Sequence, residues 1–223
     1  MKLYPVMLRV AGKRAVVIGG GLVAMRKIKD LLDCGALVTV ISPQIDESIH
    51  NLCALYPDKI KIINRDYKRR DIAGAFIIFS ATDNERINRD VSRDARKKNI
   101  IINTADDPEN CTFFVPSWFN RKGIIIAVST SGISPALAAR FRRKIEEVIP
   151  DSIEDILAAL EKTRYLLKNN SVFESLTPQQ RGRILKQIVN NDDLLEELVT
   201  CYASDTLEYF IKNLQSNDTE SSK

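Results

Sequence analysis

The run Gly19-Gly20-Gly21-Leu22-Val23-Ala24 follows directly on the apolar stretch Ala15-Val16-Val17-Ile18 and opens an amphipathic segment. In that setting G-x-G-x-x-A is a phosphate turn: Gly19 permits the tight bend, Gly21 lets a pyrophosphate approach the backbone, and small Ala24 lets helix and strand pack closely. The N–H groups of Leu22 and Val23 and the helix dipole then face the phosphates. The spacing points to dinucleotide binding; its bland alternative is a structural glycine turn. One usual element is missing, because the second strand ends Val40-Ile41-Ser42-Pro43-Gln44 where an Asp or Glu ordinarily holds the adenosine ribose. Ser42 and the backbone of Pro43 and Gln44 are the substitutes. No arginine immediately follows Ser42 to hold a 2′-phosphate, which favours NAD over NADP.

Further candidates stand at the ends of later runs. Asp106 and Asp107 lie just past a fifth strand-like segment, where a carboxylate can meet a ligand at the edge of a parallel sheet and act as a base. The competing reading is a cap for the turn at Asp107-Pro108. Thr82 and Asp83 close the fourth run, where they border a nicotinamide or cap the next helix. Ser129-Thr130-Ser131-Gly132 gathers hydroxyls and free N–H groups before a helix start at Ser134-Pro135, a place for a carboxylate. Arg140, Arg142, Arg143 and Lys144 follow, either as an anion-attracting cluster or as a solvated face. His50 is the sole histidine, and Cys34, Cys53, Cys111 and Cys201 form no C-x-x-C pair. No metal site, histidine-based triad or disulfide scaffold is expected from them, and the cysteines read as reduced, mostly buried thiols.

The elements that must position these residues are legible in outline. Strand-like runs at 14–18, 37–41, 59–63, 76–80 and 100–103 alternate with amphipathic stretches, the pattern of an α/β, Rossmann-type parallel sheet over residues 1–112. Residues 84–98 read as a helix with Arg86, Arg89, Arg93 and Arg96 on its solvated face. Runs at 112–115, 117–120 and 124–129 follow without helices between them and predict a small antiparallel or mixed sheet in a segment spanning 113–150. Residues 151–223 read as a C-terminal helical domain of three helices, one starting with the capping box Thr177-Pro178-Gln179-Gln180.

The 223 residues carry a formal charge of +4 with 44% hydrophobic and 28% charged residues, as a soluble globular chain does. Residues 191–223 hold eight acids against two bases, so the preceding 190 carry a surplus of ten positive charges. That surplus favours an acidic ligand. The basic runs are not interleaved with aromatic side chains, and no nucleic-acid partner is expected. No run approaches the roughly 18–20 apolar residues of a membrane span, and the first residues carry no signal-like apolar core. A cytoplasmic location without membrane contact is expected.

Tyr4-Pro5-Val6-Met7-Leu8 before the glycine turn, Ala81-Thr82-Asp83, Asn103-x-x-Asp106-x-Pro108, and Ala127-Val128-Ser129-Thr130-Ser131-Gly132-x-Ser134-Pro135 occur in one order and spacing. Together they make residues 1–150 resemble the precorrin-2 dehydrogenase/sirohydrochlorin ferrochelatase family, to which the N-terminal module of sirohaem synthase belongs. The resemblance implies oxidation of the tetrapyrrole precorrin-2 to sirohydrochlorin with NAD as hydride acceptor, with ferrous iron as a further substrate in those members that also make sirohaem. It implies a homodimer joined through the segment after the Rossmann unit, with Asp106 as general acid/base. Ser129, Thr130, Ser131 and Arg140 are then the candidates for the polycarboxylate substrate. Thr130 departs from the family's synthase branch, which has a second serine there, and Asp107 is an extra acid. The alternatives to a bifunctional enzyme are a dehydrogenase alone and a non-catalytic dinucleotide sensor.

Overall fold

The structure is a computed structural model that describes residues 2–220. The chain divides into two compact units, Met1–Val115 and Pro116–Lys223.

In the first unit β1 (Arg14–Ile18), β2 (Leu37–Ile41), β3 (Ile60–Ile63), β4 (Ile77–Ser80) and β5 (Ile101–Thr104) form a parallel sheet in the order β3-β2-β1-β4-β5. Val17 sits beside Val40 on one side and Phe79 on the other. Ala15, Val16 and Val17 are wholly buried, so the central strand is a continuous apolar run rather than an alternating one, as a sheet covered on both faces requires. Helices α1 (Leu22–Asp33) and α2 (Glu47–Leu55) cover one face; Ala24, Ile28, Leu31 and Leu32 of α1 enter the core with Val17, Val38 and Val40. Helix α1 stops at Gly35, whose φ of +79° only a glycine adopts readily. On the other face lies α3 (Glu85–Lys97), capped by Asn84, with Val91 and Ala95 packed near Val16, Ile78 and Ile102. The Rossmann-type sheet expected from the sequence is borne out.

The connection from β3 to β4 carries only a 3-10 turn, Arg69–Ile72. Its anchor is the buried Asp71, which accepts two bonds from Arg65, at 2.7 and 2.8 Å, and one from the Lys68 N–H at 2.7 Å. Arg14, at the start of β1, donates to the Asp71 carbonyl at 2.8 Å.

Residues 112–115 do not form the expected strand. They lie along β5, the edge of the sheet, and the contact is made largely by side chains. The Thr112 N–H donates to the Ile102 carbonyl at 2.8 Å, but the Ile102 N–H donates to the Thr112 hydroxyl, also at 2.8 Å, and the Thr104 N–H to Cys111 Sγ at 3.1 Å. An edge strand's free polar groups are thereby satisfied without a sixth strand. Phe113 turns inward onto Phe79 with ring centroids 5.4 Å apart.

The second unit opens with a hairpin, β6 (Ser117–Arg121) and β7 (Ile124–Val128), antiparallel as one of the two expected arrangements and with two strands. Lys122 and Gly123 both have positive φ, the turn that matches the strand twist. Helix α4 (Pro135–Glu147) starts at the Ser134 cap and packs on the hairpin. Arg121 ties the two together through the Glu146 and Ile149 carbonyls, at 3.2 and 2.9 Å, and Asp151. Then α5 (Ile153–Asn169), α6 (Pro178–Val189), α7 (Asp192–Ala203) and α8 (Leu207–Glu220) enclose Phe173, Leu167, Ile188 and Leu198. The capping box at Thr177 and Gln180 is present. The bundle has four helices where three were expected, because Leu207, Phe210, Ile211 and Leu214 supply a further apolar stripe. Among the described residues no helix is long and apolar enough to cross a membrane.

The Asp71 anchor gives a pH-dependent test. The Arg65 bond holds the Asp71 carboxyl below its usual range against the opposing effect of burial. Its contribution is therefore present above the unfolded value of about 4 and lost as pH falls through the lowered folded value. Asp71→Asn should reduce the unfolding free energy by about 2 kcal/mol near neutral pH and by progressively less toward about pH 3, measured by urea denaturation. Equal losses at both pH values would contradict this role.

Candidate functional site

The sheet order reverses at β1, since β2 lies on one side of it and β4 on the other. Ligands of open parallel sheets bind at such a point, beyond the carboxyl ends of the strands. Gly19, Gly21, Leu22 and Val23 stand at the end of β1, Ser42, Pro43 and Gln44 at the end of β2, Thr82 after β4 and Asp106 after β5. The candidates of the first unit thus share one sheet edge.

The three glycines there do different work. Gly19 has φ +119°, and a Cβ on it would meet the Ala81 carbonyl oxygen at 2.1 Å. A Cβ on Gly20 would meet the Gln44 carbonyl oxygen at the same distance, and the Gly20 carbonyl accepts from the Asp46 N–H at 2.8 Å. These two glycines let the β2 and β4 loops close on the turn. Gly21 is different: its backbone is extended, and nothing lies within 4 Å of where its Cβ would stand. That open space lies at the start of α1, whose first turn has no side-chain cap and no acid. Helices α2, α3 and α4 are capped by Asp46, Asn84 and Ser134. Uncapped N–H donors with room in front of them fit a pyrophosphate.

Ser42 is nearly buried and its N–H donates to the Ile63 carbonyl at 3.3 Å, while Pro43 and Gln44 are exposed beside it. Thr82 is held by Asn88, a buried residue that the sequence did not single out. The Asn88 side-chain oxygen accepts from Ser80 at 2.8 Å and Thr82 at 2.9 Å, and its amide donates to the Thr82 carbonyl at 2.9 Å. Asn88 therefore fixes the turn after β4.

The two adjacent acids are divided by their backbone. Asp107 caps the 3-10 turn Pro108–Asn110, accepting from the Asn110 side chain at 2.6 Å and its N–H at 3.3 Å. Asp106 has φ +54°, is exposed, and no described residue bonds or pairs with its carboxylate. A left-handed aspartate is a tolerated but uncommon conformation, and here it frees the carboxylate from the capping work done by its neighbour. The loop is tied down by Ser92 and Arg96 of α3, which donate to the Asn110 and Glu109 carbonyls at 3.0 and 2.6 Å. Cys111 ties it from the strand side.

In the second unit the hydroxyl cluster is committed largely to its own loop. Ser129 accepts from the Ser131 N–H at 3.1 Å, Thr130 from the Ser134 N–H at 2.9 Å, and Ser134 caps α4 through Leu137. Ser131 and Gly132 follow each other with positive φ. Arg140 is exposed on α4, but Arg142 turns inward, pairing with Glu146 at 2.7 Å and stacking over Phe119. The suggested run of substrate-facing cations is therefore broken at Arg142 by the need to cover the hairpin. A separate groove of about 530 Å³ lies on α3 among Tyr67, Arg69, Asp90, Arg93, Asp94 and Lys97. Its acids are already paired there, Asp94 with Tyr67 and Arg69, Asp90 with Arg93.

Comparison with known proteins agrees with this arrangement. A family model described as "Putative NAD(P)-binding" matches residues 6–117, and one described as "Sirohaem biosynthesis protein central" matches residues 125–147. The siroheme synthase of Methylobacillus flagellatus is 34% identical over 168 residues, 75% of this chain and 36% of that protein. That of Neisseria meningitidis serogroup C is 35% identical over 181 residues, 81% and 37% respectively. The chain thus spans little more than a third of the length of these curated relatives. The solved structure of SirC, a precorrin-2 dehydrogenase, has the same fold, with TM-score 0.74 at 24% identity over 96% of this chain and all of that one. The family resemblance read from the motifs is borne out.

The glycines predict separable outcomes. Gly21→Asp should fold with a Tm within about 3 °C of the parent yet lose NAD binding by calorimetry, because its side chain fills the open space and brings a negative charge to the uncapped donors. Gly20→Ala should instead lose stability, because its Cβ meets backbone. Unchanged NAD affinity in Gly21→Asp would remove the phosphate turn from the site.

Proposed function

The chain belongs to the NAD(P)-binding family whose model covers residues 6–117, and on that premise we propose that it oxidises precorrin-2 to sirohydrochlorin with NAD as hydride acceptor. The observation that carries the proposal is the unpaired carboxylate of Asp106, displayed at the same sheet edge as the uncapped start of α1. Bound NAD supplies the hydride acceptor. The chain's part is to hold the pyrophosphate on the N–H groups following Gly21, to place the ribose at residues 42–44, and to border the nicotinamide with Thr82. Oxidation removes a hydride and a proton from the macrocycle, and Asp106 takes the proton. Ser131, whose hydroxyl is not spent on its own loop, and Arg140 are the proposed contacts to the substrate carboxylates, with Ser129 and Thr130 shaping the loop that carries them.

We place the reaction in a homodimer. The hairpin and α4 leave Ile125, Leu137 and Phe141 between 42% and 49% exposed, and a two-stranded sheet with one helix is too little to bury such a face alone. Sedimentation should give the mass of two chains. The four free thiols fit a cytoplasmic setting. Ferrous iron is the candidate second substrate. Its insertion would require the pyrrole N–H groups to lose protons, so the same carboxylate is the candidate base, and among the described residues no cluster of His, Cys, Asp or Glu could hold a resident metal. A dinucleotide sensor without catalysis is the competing reading; it needs no free base.

Asp106→Asn keeps size and polarity but loses the proton acceptor. It should bind NAD normally and slow oxidation of precorrin-2 by about a hundredfold or more. Asp107→Asn should cost about 1 kcal/mol of stability through its weakened cap and leave the rate within a few-fold. A normal rate in Asp106→Asn would remove it from the mechanism. Iron added after oxidation, with each variant, shows whether insertion uses the same carboxylate.

A further inference from the structure

We propose that the thiol of Cys111 is the positioning residue for Asp106, an inference that rests on Asp106 acting as the base. Cys111 Sγ lies 3.1 Å from the Thr104 nitrogen, 3.3 Å from the Thr104 carbonyl oxygen, 3.3 Å from the Asp107 carbonyl oxygen and 3.5 Å from the Asn103 side-chain nitrogen. The sulfur accepts the Thr104 N–H, and its own proton is shared between the Thr104 and Asp107 carbonyls. It therefore does for Thr104 what a peptide group of a sixth strand would do, and at the same time reaches across to the residue after Asp106. Thr104 and Asp107 bracket Ala105 and Asp106, so this one side chain closes the loop whose tip is the left-handed Asp106. Burial pushes the thiol's pKa up, which keeps the S–H available as a donor.

The remaining ties do not substitute for it. The Ala105 N–H donates to the Ser80 carbonyl at 2.8 Å and fixes the start of the loop, while Ser92 and Arg96 hold only residues 109 and 110. The Asp107 side chain is turned to Asn110. A second route runs through Asn110, whose N–H donates to the Asp107 carbonyl at 3.2 Å and whose carbonyl accepts from the Thr104 hydroxyl at 3.4 Å; among the described residues, the thiol is the one side chain that bonds directly to both β5 and the Asp107 backbone. An exposed residue in a sparsely populated conformation keeps its place only where its surroundings fix it, and a misplacement of about 1 Å at a reacting group can cost a hundredfold in rate.

The test compares Cys111→Val, which roughly keeps the volume and loses all four polar contacts of the sulfur, with Cys111→Ser, which keeps a donor and an acceptor. Cys111→Val should lower kcat for precorrin-2 oxidation about tenfold while the Kd for NAD stays within about twofold, and Cys111→Ser should recover most of the loss. Hydrogen exchange should quicken over residues 105–110 and not at the glycine turn. The double variant Asp106→Asn/Cys111→Val should be no slower than Asp106→Asn alone, because a residue that acts through Asp106 has nothing left to position. Independent, multiplying losses would overturn the proposal, as would an undiminished kcat in Cys111→Val beside a slow Asp106→Asn. A normal rate in Asp106→Asn would instead overturn the base assignment and the proposal with it. If Cys111→Val and Cys111→Ala both fail to bind NAD, the thiol belongs to the fold alone and the proposal falls.

Discussion

The end of β1 is the constraint on which the first unit depends. This strand is buried on both faces and paired on both sides, and the sheet order reverses across it, so its neighbours' loops must leave in opposite directions and close again around the turn that follows. Gly19 admits the Ala81 carbonyl and Gly20 the Gln44 carbonyl, each at a distance no side chain would allow. With both loops drawn in, the start of α1 is left with open space before Gly21 and with no side chain of its own to cap it. The proposed anion site is thus a consequence of how the sheet closes, which leaves the first donors of α1 without a side-chain cap.

The proposed second requirement, a base near that ligand, is answered at the same carboxyl end of the sheet, past its edge strand β5, by dividing two consecutive aspartates. Asp107 satisfies the turn, which lets Asp106 remain free of it. The edge strand β5 makes this arrangement stable by accepting side chains in place of a partner strand, Thr112 at Ile102 and Cys111 at Thr104. The same contacts that protect an exposed edge also hold the loop that carries the acid. The second unit has a parallel economy. The hydroxyls of Ser129 and Thr130 stabilise a loop with two left-handed residues, and what they leave available is the Ser131 hydroxyl and the exposed Arg140 midway along α4.

Much of this was legible in the sequence wherever a backbone requirement restricts residue type. The glycine turn, the stop at Gly35, the caps at Ser134 and Thr177, and the five apolar strands all fall in that class, and all were found, whereas the cap of α3 falls on Asn84 and not on Thr82 or Asp83. The assignment of Asp107 as a cap and Asp106 as the free acid came from motif position, and the left-handed φ of Asp106 supplies its physical basis. What escaped was decided by distant partners. The need for glycine at position 20 comes from a carbonyl twenty-four residues away, and Asn88 is an unremarkable helix residue until Ser80 and Thr82 meet it. Residues 112–115 have the composition of a strand, but the preceding turn brings side chains rather than backbone to the edge. Arg142 looked like its neighbours on α4 until Phe119 was seen beneath it.

In the proposed reaction, one sheet edge joins a dinucleotide to a carboxylate that takes a proton from a tetrapyrrole. Its most direct measurement is anaerobic mixing of the full chain with precorrin-2 and NAD, following reduced nicotinamide and sirohydrochlorin together by absorbance. The two should appear at the same rate and in equal amounts. NAD binding without any reduced nicotinamide in the presence of precorrin-2 would contradict it.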